Sequence, residues 1–118
     1  MTLKTVAPFD IAGAKARLAA GNGGYEVVHS SPGLEIGVYV LVAPEPDRQQ
    51  PHEVDEVYVV LEGSGWLEIG DQRVELLPGR WLRIDAHEHR QLHAGPDGIR
   101  MLAAGSTPGA PYRPNEGL

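Results

Sequence analysis

From Tyr25 onward the chain is built of short runs of β-forming residues separated by turn residues. The candidate strands are Tyr25–His29, Leu34–Val42, Val54–Leu61, Gly65–Ile69, Arg73–Leu77, Trp81–Ile84, Arg90–His93 and Ile99–Ala103. The turns between them carry Gly, Pro or Asp, as in Ser31-Pro-Gly33, Glu62-Gly-Ser-Gly65, Gly70-Asp-Gln72, Pro78-Gly79 and Pro96-Asp-Gly98. Short strands at such regular spacing predict a sandwich or barrel. The one helical stretch is Phe9–Ala20, rich in alanine, with Asp10 placed to cap its start and Gly21 to end it. The expected fold is therefore all-β, an antiparallel jelly roll or β-barrel with one short N-terminal helix. Residues 1–24 form the N-terminal helical segment, 25–105 the barrel, and 106–118 a C-terminal arm or disordered tail with three prolines and two glycines.

Leu34–Val42 is apolar on both parities: Ile36, Val38 and Val40 on one, Tyr39 and Leu41 on the other. Such a strand needs both faces covered. The barrel interior covers one. A second subunit, the N-terminal helix or the tail is expected over the other, and a homodimer is the favoured assembly.

The chain has 118 residues, 42% of them hydrophobic, which suits one domain with one core. No apolar run reaches membrane-span length, and the first residues lack the apolar core of a secretory signal, so a cytoplasmic location is expected. Net charge is −6 and the ten Lys and Arg are scattered, which argues against a nucleic-acid partner. With no cysteine, thiolate chemistry is excluded and any metal must sit on nitrogen and oxygen ligands.

Candidate chemistry concentrates where loop turns into strand, at Gln50-Pro51-His52-Glu53-Val54-Asp55-Glu56-Val57-Tyr58. Side chains alternate along a strand, so Gln50, His52, Glu56 and Tyr58 share one face. An imidazole, a carboxylate and an amide oxygen on one face are the materials of a metal site. A second cluster, His87-Glu88-His89-Arg90-Gln91-Leu92-His93, could supply further ligands.

These two segments resemble the cupin superfamily, and in particular its small single-domain bacterial members. The first cupin motif runs G-x5-H-x-H-x3-E-x6-G. His52, Glu56 and Gly63 match its second histidine, its glutamate and its final glycine, while Gln50 stands at the first histidine and Pro44 at the first glycine. The second motif runs G-x5-P-x-G-x2-H-x3-N and starts at Gly79. Read without a gap, its histidine falls on Arg90; one residue deleted in the turn moves it to His89 and puts His93 at the asparagine. Asp85 replaces the motif's proline. The resemblance covers roughly residues 34–105.

The resemblance implies one divalent metal, Fe or Mn by preference and Zn or Ni as possible occupants, held by His52, Glu56 and His89 with Gln50 as a fourth ligand. His93 and His87 are the alternatives to His89. Two histidines and a carboxylate leave adjacent positions open for dioxygen and substrate, as in non-haem oxygenases. Tyr58 and His93 are then the candidates for hydrogen bonding and proton transfer. The leading expectation is a metal-binding monocupin acting as a dioxygenase on a small organic substrate. The alternatives are a non-catalytic cupin that binds or senses a small ligand, and a barrel that has lost its metal. The fold alone decides none of these.

Overall fold

The computed structural model describes residues 8–42 and 54–106. Helix α1, Ile11–Ala20, begins where the Asp10 carboxylate accepts a hydrogen bond from the Gly13 amide at 2.8 Å, satisfying one of the donors that a helix start leaves without a partner. It ends as the Gly21 amide donates back to the carbonyls of Arg17 and Leu18. The chain then turns through Asn22 and Gly23, both at positive φ.

Six antiparallel strands follow: β1 Gly24–Ser31, β2 Leu34–Leu41, β3 Glu56–Ile69, β4 Gln72–Leu76, β5 Trp81–Ile84 and β6 Arg90–Gly105. They run β1-β2-β6-β3-β4, with β5 paired to the first part of β3. The all-β architecture with one short helix is the expected one. The strand count is not: the expected strand 54–61, which begins at Glu56 instead, and the expected strand 65–69 belong to one long strand, as do 90–93 and 99–103. The glycines between them bend these strands without breaking them. Along the β3–β6 ladder the register shifts between Val60 and Glu62 and again between Gly63 and Gly65. Gly63 and Gly98 both have positive φ there, and a Cβ on Gly63 would collide with the Gly98 carbonyl oxygen.

The bend encloses an interior. Tyr39 and Leu41 of β2, Tyr58 and Val60 of β3, and Ile99, Met101 and Ala103 of β6 pack there with Leu67, Leu76, Ile84 and Leu92. The other parity of β2 faces outward, where Val38 and Val40 are buried with Ala14 of α1, flanked by Ile11, Leu18 and Leu102. The second cover that β2 requires is thus supplied by the chain's own helix. Two exposed ion pairs hold α1 at its edges, Lys15 with Glu62 and Arg17 with Glu26, the latter through Nη2–Oε2 at 2.6 Å and Nε–Oε1 at 3.0 Å.

Candidate functional site

The period-two pattern of β3 sends Glu56, Tyr58 and Val60 inward, all three buried, and Val57 and Val59 outward. Glu56 keeps only 7% of its surface exposed. A carboxylate so placed needs a partner, because an isolated buried charge is strongly disfavoured. Its partner comes from the start of β6. Arg90, 4% exposed, donates from Nη2 to Glu56 Oε1 at 3.0 Å, from Nε to the Tyr58 hydroxyl oxygen at 3.3 Å, and from Nη1 to the Glu88 carbonyl at 3.2 Å. Its guanidinium carbon also lies 5.8 Å from the centre of the Tyr58 ring. The cation, the anion and the Tyr58 phenol therefore meet in an interior that, among the described residues, is otherwise lined by Tyr39 and aliphatic side chains.

The turn ahead of β6 aims Arg90 inward. Asp55, next to Glu56 and so directed away from it, accepts a hydrogen bond from the Ala86 amide at 2.7 Å. The Glu88 amide donates to the Asp85 carbonyl at 3.2 Å, and His87 takes the left-handed conformation with φ of 63°. This tight turn is tied directly to the start of β3. It leaves His89 exposed and Arg90 buried. Arg90 and Leu92 then point inward along β6, while Gln91 and His93 are only partly buried on the outer side.

Of the residues singled out from sequence, Glu56 and Tyr58 come together in the interior as expected. His89 does not join them: Arg90, at the position of the ungapped motif, meets Glu56 instead. His93 does not face Tyr58 either. Its ring stacks on Trp66 of β3 at 5.0 Å and 10°, and its Nε2 lies 3.2 Å from Glu68 Oε1. The Arg73 guanidinium stands 4.1 Å from the centre of the same indole. Beside this stack, Ser64, Trp66, Arg73, Glu75 and Pro96 line an open groove of about 480 Å³. His87 is an exposed turn residue. Gln50 and His52 lie outside the described residues, as does Pro44. Sequence reasoning missed Arg90 and Asp55; the ungapped reading of the second motif was the signal for the first.

These described residues do not fit the two-histidine, one-carboxylate metal centre. The interior carboxylate is already paired with a guanidinium, whose positive charge opposes a divalent ion in the same place. The histidines of the second cluster point elsewhere. Among the described residues no three His, Asp or Glu side chains converge into a metal-holding group. Also among the described residues, no helix is long and apolar enough to cross a membrane.

No family model matches the chain. A curated relative, an uncharacterized protein of Streptomyces coelicolor, is 29% identical over 94 residues, which is 80% of this chain and 90% of the relative. Among solved structures, a protein of unknown function from Rhizobium leguminosarum superposes with a TM-score of 0.74 at 21% identity, covering 89% of this chain and 99% of that one. A cupin protein from Bacteroides fragilis superposes with a TM-score of 0.65 at 20% identity, covering 97% and 93%. A cupin superfamily protein from Desulfitobacterium hafniense gives 0.64 at 21% identity over 71% and 76%. At these identities the likeness is one of fold: the chain is a small protein of the cupin fold.

Proposed function

We propose that this protein binds a small polar molecule in its barrel and that the contact is made by Arg90, Tyr58 and Glu56. One observation carries the reading: a hydrogen-bonded ion pair buried in an otherwise apolar interior. Such a pair contributes little to stability, since the cost of removing two charges from water offsets much of their attraction. An apolar pair of similar volume would serve the fold as well. A guanidinium fork and a phenol, by contrast, offer directed hydrogen bonds inside a shielded compartment, which is how small-molecule sites fix orientation. The pair is neutral overall, so a third buried charge would have no counter-charge. The favoured ligand is therefore uncharged, with carbonyl or hydroxyl oxygens facing Arg90.

The test is a thermal-shift screen of small oxygen-bearing metabolites, followed by calorimetry on any hit with wild type, Arg90→Met and Tyr58→Phe. Loss of at least tenfold in affinity in Arg90→Met supports the site. Binding that is indifferent to both substitutions removes it. Oxygen uptake by Fe(II)-treated protein above a Glu56→Ala control would replace this reading with the metal-dependent oxygenase expected from His52, Glu56 and His89, with Gln50 as a fourth ligand.

A further inference from the structure

We propose that Arg90 takes the place of a metal ion as the resident counter-charge of Glu56, and so closes the interior carboxylate to divalent metal. The inference deepens the binding reading above, and it concerns what the interior excludes.

Three observations combine. The first is position: Arg90 opens β6, and its guanidinium reaches across the interior to the one carboxylate that β3 sends inward. The second is anchoring: three of the guanidinium's five N–H groups are given to Glu56, the Tyr58 hydroxyl and the Glu88 carbonyl, so the cation is held by fixed groups while one donor on each terminal nitrogen is left for a ligand. The third is burial: the side chains of Arg90 and Glu56 keep 1% and 8% of their surface. A metal ion on Glu56 would have to share the carboxylate with a guanidinium bonded to Oε1, two like charges side by side, or drive that buried guanidinium from its three partners toward water. A guanidinium offers hydrogen-bond donors and no acceptor lone pair, so Arg90 supplies no ligand to a metal, as a histidine in its place would.

Among the described residues, the identity of one side chain on β6 then sets whether Glu56 faces a fixed positive charge or a possible ligand. Histidine at position 90 would present a neutral nitrogen to the interior in place of a fixed charge, on the same strand parity and facing the same carboxylate.

The experiment titrates Mn(II) and Zn(II) into chelator-treated, tag-free protein by calorimetry, with the free Mn(II) resonance signal as a second readout. The proteins are wild type, Glu56→Gln, Arg90→His and the Arg90→His/Glu56→Gln double variant. Wild type is expected to show no metal binding that depends on Glu56. Any weak binding at the surface histidines His87, His89 and His93 should be equal in wild type and Glu56→Gln. Arg90→His is expected to gain one equivalent of metal at least tenfold tighter than wild type, with a rise in melting temperature on adding metal, and to lose both in the double variant. One equivalent of metal in wild type that disappears in Glu56→Gln overturns the proposal. A folded Arg90→His protein that gains no metal also overturns it. Should Arg90→His fail to fold, wild type against Glu56→Gln decides the question alone. A barrel that binds metal and still binds its small ligand defeats only this inference. A barrel that binds neither defeats only the binding reading.

Discussion

Glu56 and Arg90 meet across the interior although they belong to opposite ends of one strand ladder. In the register of β3 with β6, Arg90 stands beside Ile69, the last residue of β3, while Glu56 is the first. The bend at the glycine bulges, together with the β5 pairing and the turn that follows it, brings the two ends face to face. The bond between them therefore reports on the closure of the barrel as well as on the chemistry inside it.

Removing either partner should be costly. Glu56→Leu or Arg90→Met leaves an uncompensated buried charge, and each is expected to lose about 3–5 kcal/mol. The double variant should recover much of that loss. Urea denaturation of the four proteins provides the double-mutant cycle, and additive losses would show that the pair is not coupled.

Gly63→Ala should destabilise the protein by about 2 kcal/mol or more. Positive φ alone costs on the order of 1–3 kcal/mol for a residue with a side chain, and the Gly98 carbonyl leaves no room for the methyl group. The same denaturation measurement checks it. Gly70→Ala is the control: it shares the positive φ, but open space surrounds its Cβ, so the smaller loss isolates the strain from the collision.

Asp55→Ala removes the acceptor of the Ala86 amide, an exposed hydrogen bond, and should cost about 0.5–1.5 kcal/mol. It should also loosen the turn that aims Arg90. Amide hydrogen exchange at residues 86–90 is expected to quicken more than the global loss of stability explains.

Acid should loosen the edges of α1. The Glu62 carboxyl is held below its ordinary value near 4.5 by its hydrogen bond to Lys15, and Glu26 is held below the same value by its hydrogen bond to Arg17. Folded-state values below the unfolded ones mean that this stabilisation is present above the ordinary value and is lost as pH falls through the lowered one. Both groups are exposed, so the effect is small and screened by salt. Exchange of α1 amides at pH 7 and pH 3, corrected for intrinsic rates, should show more opening in acid, and high salt should shrink that difference by weakening the pairs at pH 7.

Much of this molecule is legible in its sequence because local signals are sharp. Asp10 and Gly21 bracket the helix to within a residue or two, and Trp81–Ile84 is read to the residue because Pro78-Gly79 and Asp85 bound it. Glu56 and Tyr58 fall on the interior face because period-two alternation allows nothing else. The joined strands were hidden because a glycine pair looks like a turn whether the chain reverses or only bulges. Arg90 was hidden for a stricter reason. One residue more or less in the turn at 85–88 exchanges the inner and outer faces of everything after it, and the motif alone does not fix that count.

The bent pairing of β3 with β6 also bears on how the protein reaches its native state. Glu56 and Arg90 are 34 residues apart in the chain, and β3 makes its most extensive strand pairing with β6. Pairings of such separation must close a long loop before any contact repays it, which places folding among slow, topology-limited barrels in the range of milliseconds to seconds. The interior ion pair can form only after that closure. Substitutions that break it should accelerate unfolding and leave the refolding rate nearly unchanged.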